Sequence, residues 1–279
     1  MSLEIGLIFG FIALGIFFTF RVINFPDLTC DGSFVLGAAA ACTLVSYGFN
    51  PYLATLVAML AGALAGCLTG FLFLKLRVSD LLSGILVAFM LYSVNLRVMG
   101  GIPNIALLDK ITIFSDLNSL VLLLILSLVI IAATAYLLLT DFGLALRSVG
   151  LNQILARSSG VNVAAMTLIS LAVSNALIAC GGAIFAQQQG FADIGSGIGT
   201  LVVGLAAVMI GEKLLPYRSM PLIILSCFIG SIAYRILISF ALHMDFFGLK
   251  TQDINIITGL LIVAIMQFRR KNYAKTSKS

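Results

Sequence analysis

The chain is built from long continuous apolar runs, and this constrains its fold more than any other feature. A segment buried in lipid must satisfy every backbone N–H and C=O within the protein, as an α-helix does. Spanning a bilayer takes about 20 apolar residues, with a range of roughly 17 to 25. Nine apolar segments stand near 3–20, 34–47, 51–74, 78–99, 117–139, 163–186, 200–211, 219–242 and 254–268. They read as runs rather than amphipathic stripes and predict an all-α integral membrane protein. Segments 34–47 and 200–211 are short for a bilayer, so each is expected to be re-entrant or buried inside the bundle.

Composition excludes the soluble classes. Charged residues make up 10% of the 279, against about 25% in soluble domains, and the mean hydropathy is +1.16. A soluble enzyme, a nucleic-acid-binding domain and a disordered chain are excluded. With one histidine, His243, and no tryptophan, a metal or haem site based on imidazole is not expected. Cys30, Cys42, Cys67, Cys180 and Cys227 form no C-x-x-C pair, and their odd number argues against a disulfide framework. They are expected to act as small buried hydrophobes. The first run begins at Leu3 after the acidic Glu4, without the basic start of a signal peptide, and reads as a retained helix.

Lysine and arginine placement sets the orientation. If all nine segments cross with the C-terminus inside, the inner connections hold Arg21, Lys75, Arg77, Arg147, Arg157, Lys213, Arg218, Arg269, Arg270, Lys271, Lys275 and Lys278. The outer connections hold only Arg97, Lys110 and Lys250. Nine crossings, N-terminus outside and C-terminus cytoplasmic, is therefore the expected topology. The basic tail 269–279 is the ordinary positive stop at a cytoplasmic face.

The two ends of the chain echo each other. Phe25-Pro26-Asp27 is matched by Phe191-Ala192-Asp193, Gly32-Ser33 by Gly195-Ser196, and Gly37-Ala38-Ala39 by Gly204-Leu205-Ala206-Ala207. Ser83-Gly84-Ile85-Leu86-Val87-Ala88 resembles Thr258-Gly259-Leu260-Leu261-Ile262-Val263-Ala264. The offset is 166 at the first match and 175 at the last. These matches predict two four-helix repeats, 3–99 and 163–268, within one transmembrane domain covering 1–279. A linker helix, 117–139, and a cytoplasmic loop, 140–162, lie between them. Five crossings separate corresponding helices, so the repeats are inverted, an arrangement that places a transport pathway where the halves meet.

Two connections carry the functional candidates. In Arg21–Phe34, Pro26 stops the preceding helix, and either Asp31 or Ser33 is suited to cap the next or to line a cavity. In 140–162, Leu144, Arg147, Leu151, Ile154 and Leu155 recur at helical spacing and predict one amphipathic helix over 142–158, ended by Gly160. Arg235 lies inside a span, where an arginine costs at least ~2.5 kcal/mol unless paired or hydrated. Asp193, Asp245, the pathway and outward snorkelling are its candidate environments. Asp80 beside Ser79 reads as an N-cap, and Gly62, Gly66 and Gly70 form a close-packing stripe.

The loop motif Gly143-x-x-x-Arg147-x-x-Gly150-x-Asn152, with Ala156 and Gly160-Val161-Asn162 after it, resembles the cytoplasmic loop of one permease family. These are the permeases of ATP-binding-cassette importers in the branched-chain amino acid, ribose and nucleoside group, and the similarity covers nearly the whole chain. Val22-Ile23-Asn24-Phe25 is similar to that family's segment after its first helix. Asn24 to Phe34 resembles a narrower subgroup linked to tryptophan, tyrosine or related amino acids. The resemblance implies that Gly143, Arg147, Gly150, Asn152, Ala156 and Gly160 form the coupling helix that seats in an ATPase subunit. It also implies two ATPase subunits, an extracytoplasmic solute-binding protein and a second permease copy in a bacterial plasma membrane.

Pathway candidates are Asn24, Phe25, Asp27, Asp31, Ser33, Asp193 and Arg235. No catalytic residue, metal ligand or cofactor is expected on this chain, nor a nucleic-acid partner. Without a Walker sequence, ATP must be hydrolysed by another subunit. The rival reading is an ion-coupled secondary transporter. It would need carboxylates at mid-membrane, whereas all eleven acidic residues fall in or beside connections.

Overall fold

The computed structural model describes residues 2–108, 110–115, 118–215, 219–243 and 259. Ten helices are present among them. α1 (Ser2–Phe17) runs on into a π-helical turn, Phe18–Val22. α2 (Cys30–Ser46), α3 (Pro51–Leu74) and α4 (Asp80–Val98) follow. Strand β1 (Asn104–Ala106) precedes α5 (Ser119–Leu139), α6 (Asp141–Leu151) and α7 (Gln153–Ser158). α8 (Val163–Gln189), strand β2 (Phe191–Asp193), α9 (Thr200–Leu214) and α10 (Met220–His243) complete the described chain.

Among the described residues six helices are long and apolar enough to cross a membrane: Ser2–Val22, Pro51–Leu74, Asp80–Val98, Ser119–Leu139, Val163–Gln189 and Met220–Phe240. They match six of the expected spans to within a few residues. The second and seventh expected segments, 34–47 and 200–211, are the shorter α2 and α9. The ninth, 254–268, and the tail lie outside the described residues, apart from Gly259. Asparagines start four of the helices: the side chains of Asn50, Asn118, Asn152 and Asn162 accept from N–H groups of α3, α5, α7 and α8, satisfying donors that have no intrahelical partner.

α1 and α8 form the centre. The most apolar stretch of α1 is 78% buried, against 28% for α4 and α5. α1 packs on α8, α9, α10 and α5, whereas α8 packs on α3, α2 and α1. The central pair runs antiparallel: Ser174 Oγ donates to Gly15 O at 2.7 Å and Ser170 Oγ to Phe18 O at 3.4 Å. Around them α2 is buried along most of its length, one of the two placements, re-entrant or inside the bundle, expected of so short a segment.

Small residues permit these crossings. A Cβ on Gly62 or Gly66 would collide with the α8 backbone at Asn175 and Leu171, so the glycine stripe of α3 packs within this chain. Gly66→Leu is expected to force α3 off α8, at a cost of about 1–3 kcal/mol or more for overpacking. The check is the yield of monodisperse protein in size-exclusion chromatography; an unchanged yield and melting temperature would show that α3 packs elsewhere.

Three differences from the sequence expectations have local causes. α2 begins at Cys30, four residues before its apolar run, because the chain turns at Asp27 rather than at Asp31 or Ser33. The expected single helix over 142–158 is two helices meeting at Asn152. β1 and β2 pair antiparallel, Asn104 opposite Asp193 and Ala106 opposite Phe191, and strands of three residues are too short for alternation to announce them.

Candidate functional site

The connection between α1 and α2 is folded into the bundle. Asn24 makes the turn out of the π-helical segment with φ +53°, a left-handed conformation that asparagine tolerates, and its side chain is exposed. Phe25 is core, its ring edge-on to Phe73 with centroids 5.1 Å apart. Asp27 is fully buried. Its Oδ1 accepts from Thr29 N at 2.9 Å, and its Oδ2 accepts from Asn175 Nδ2 at 2.7 Å. Ser33 Oγ donates to Asn175 Oδ1 at 2.7 Å, and the Thr29 and Thr69 hydroxyls meet at 2.7 Å. The result is a closed polar network against the middle of α8, with each member partnered as burial requires. It corrects the expectation that acidic residues stay at the connections: Asp27 belongs to one by sequence but lies in the core.

Asp31 reaches the other half of the molecule. Its Oδ1 accepts from Thr200 Oγ1 at 2.7 Å and Leu201 N at 2.9 Å, and its Oδ2 from Gly199 N at 3.2 Å. Asp31 therefore caps α9, not α2, and favours the positive end of that helix's dipole. Gly197 lies so close that a Cβ would collide with Asp31 O. The starts of the two short helices thus meet, level with Ala88 and Leu91 in the middle of α4, which pack on Gly32.

Asp193 ends β2, where its Oδ1 accepts from Gly195 N at 2.8 Å. Arg235 lies with Cζ 4.3 Å from the Phe9 ring centroid, a cation–π contact. Among the described residues Asp193 and Arg235 form no ion pair; Asp245 lies outside them. Arg21 instead pairs with Glu212 at the end of α9, a contact the spacing in sequence gave no sign of.

The α6–α7 elbow gathers the loop candidates. Gly143 packs its Cα against Leu138 where the chain turns from α5. Arg147 is half-buried, its Nε donating to Gly143 O at 3.3 Å. A Cβ on Gly150 would collide with Val22 O, so α6 rests directly on the π-helical turn. Asn152 breaks the helix, its Oδ1 accepting from Ile154 N at 2.9 Å and Leu155 N at 3.1 Å. Ala156 is buried, and Gly160 takes φ +84° to leave the elbow. The motif residues thus shape the elbow, while its tip presents Leu151 at 88% exposure, Ile154 at 83% and Leu155 at 65%.

Fold and sites together define a multi-pass membrane protein. Residues 2–266 match the family described as branched-chain amino acid transport system, permease component, and the chain belongs to that family. It is 37% identical over 262 residues to the tyrosine transport system permease protein of Clostridioides difficile strain R20291, covering 94% of this chain and 88% of that one. It is also 34% identical over 280 residues to an uncharacterised protein of Rickettsia prowazekii strain Madrid E, covering 97% and 98%. No solved structure matches.

Proposed function

We propose that this chain is the membrane-spanning subunit of an ATP-driven importer for an amino acid, with tyrosine the first candidate. The family match over residues 2–266 carries this reading, and the tyrosine permease relative supplies the substrate class. The α6–α7 elbow is the coupling element, and its apolar tip seats in an ATPase subunit that binds and hydrolyses the ATP. A solute-binding protein delivers ligand from outside, and two copies of the chain form the permease. The N-terminus lies outside and the C-terminus inside.

Inverted repeats supply the motion, and several pairs of contacts related by a shift of 166 residues support them. Thr29 N bonds Asp27 Oδ1, and Gly195 N bonds Asp193 Oδ1. Cys30 Sγ donates to Asp27 O, and Ser196 Oγ donates to Asp193 O. A Cβ on Gly66 would lie 2.9 Å from Ala172 Cα, and one on Gly6 would lie 3.0 Å from Ile232 Cα. Gly15 faces Ile178 as Gly181 faces Ile12. In each pair the same shift carries one contact onto the other, and the corresponding helices α1 and α8 are antiparallel.

The buried Asp27 favours a second reading, an ion-coupled transporter, because ionisable groups at membrane depth commonly serve coupling. One experiment separates the two: uptake into proteoliposomes holding the permease, its ATPase and its binding protein. ATP-dependent uptake is expected in the wild type. In Ile154→Glu the ATPase is expected to copurify at least about tenfold less, since an apolar anchor is replaced by an unpaired charge. Uptake that ignores ATP and follows a proton or sodium gradient would establish the rival.

A further inference from the structure

A recess of about 120 Å³ opens between α2, α4 and the loop before α9, lined by Asp31, Gly32, Tyr92, Asn95 and Gly197 among others. It shares Asp31, Ala88 and Tyr92 with a wider groove of about 540 Å³ that also holds Leu28 and Phe89. That size falls in the range of about 300–1,000 Å³ typical of small-molecule sites. Two features make the recess a site rather than a packing gap. Asn95 is 1% exposed, and its Oδ1 is buried with no hydrogen-bond partner. Its Nδ2 donates to Gly32 O at 3.2 Å, which fixes the amide orientation, since the reverse would set two carbonyl oxygens against each other. A buried acceptor left open is costly and calls for a donor from outside the chain. The second feature is Asp31 Oδ2, which accepts one bond, from Gly199 N, and retains acceptor capacity.

We propose that this recess is a binding station for the transported solute, which places its ammonium group at Asp31 and Asn95 and its aromatic side chain against Phe89 and Tyr92. The proposal rests on the importer reading and adds where the solute pauses and which end is recognised. Both open acceptors belong to residues that line the recess, so the ligand there must donate; an ammonium offers three donors and a charge opposite to Asp31. Phe89 is 80% exposed and Tyr92 57%. They stand three residues apart on α4, and therefore on one face, where they form a wall for an aromatic ring. The position is level with the middle of α4, where the two short helices begin, and discontinuous helices at that depth are where transporters hold their substrates.

The test uses the permease–ATPase complex in nanodiscs without binding protein, with equilibrium binding of radiolabelled L-tyrosine as the readout. Tyramine, which lacks the carboxylate, is expected to compete within about threefold of tyrosine, while 3-(4-hydroxyphenyl)propionate, which lacks the amine, competes at least about tenfold more weakly. Asn95→Leu is expected to weaken tyrosine binding about tenfold, with ATPase copurification showing that the variant folds. Phe89→Ala, at an exposed position, should weaken tyrosine more than alanine. Undiminished binding in Asn95→Leu, or the reverse order of the two analogues, overturns the station. So does a wild type that binds no tyrosine yet takes it up with ATP, which leaves the importer reading standing. A Phe89→Ala variant that changes only oligomeric state would assign the groove to a second copy and also overturn it. Absence of any ATP-driven amino-acid uptake removes the importer reading and the station together.

Discussion

Replacing Asn175 with leucine should destabilise the protein by about 2–6 kcal/mol, since two buried polar groups lose their partner at about 1–3 kcal/mol each. The two side chains are close in size, so little of the loss comes from a cavity. The cost is polar. Asn175 Nδ2 donates to Asp27 Oδ2 and to Leu171 O, and its Oδ1 accepts from Ser33 Oγ. Leucine leaves the Asp27 carboxylate with Thr29 alone and takes from the Ser33 hydroxyl its Asn175 acceptor, both residues being fully buried. Asp27 also sets the turn that starts α2, so the damage extends to a helix at the centre of the bundle. Thermal denaturation of the purified protein in detergent, followed by size-exclusion chromatography, should show the melting temperature about 10 °C lower, at roughly 2–4 °C per kcal/mol. Combining Asn175→Leu with Asp27→Ala should cost less than the sum of the two, as expected for residues sharing one network. Strict additivity, or a melting temperature within about 2 °C of wild type, would show that the network does not hold α2.

Much of the scaffold could be read from the chain, because bilayer thickness leaves a length signature in each helix. Segment 34–47 is short enough to be re-entrant or inside the bundle, and α2 is buried along most of its length. What escaped the sequence depends on partners far apart in it. Nothing local to Asp31 reveals that its carboxylate serves Gly199, Thr200 and Leu201 on α9. Asp27 likewise looks like an ordinary residue of a connection until Asn175 is brought to it. In the loop 140–162 the apolar spacing is continuous through Asn152, so periodicity reads one helix; the break comes from the asparagine side chain bonding Ile154 N and Leu155 N. The glycines at 143 and 150 stood out by spacing, but their role, close approach to Leu138 and Val22, required the fold. Asn95 carried no signal at all, since an asparagine within an apolar run shows its missing partner only when its neighbours are known.

Gly150→Val should separate ATPase binding from transport. α6 rests on the π-helical turn Phe18–Val22 at this residue, where a Cβ would collide with Val22 O. The turn leads through Asn24 and Phe25 to Asp27, and so to α2 and α8. A thrust on the elbow tip therefore enters the bundle at the Gly150–Val22 contact. Valine prises α6 away there while leaving Leu151, Ile154 and Leu155 exposed for the ATPase. The expected result is an ATPase subunit that copurifies within about twofold of wild type, with ATP-driven uptake at least about tenfold lower, the size of a typical coupling energy between sites. Gly160→Ala is the contrast. Its φ of +84° disfavours a side chain, but no atom lies within 4 Å of the new Cβ, so the cost is local strain of about 1 kcal/mol and uptake should largely survive. Full uptake in Gly150→Val would show that the thrust travels by another route. Loss of the ATPase from the complex would show that the contact positions the tip rather than relays its movement. Retained binding with lost uptake is the outcome that places the mechanical link at these two residues.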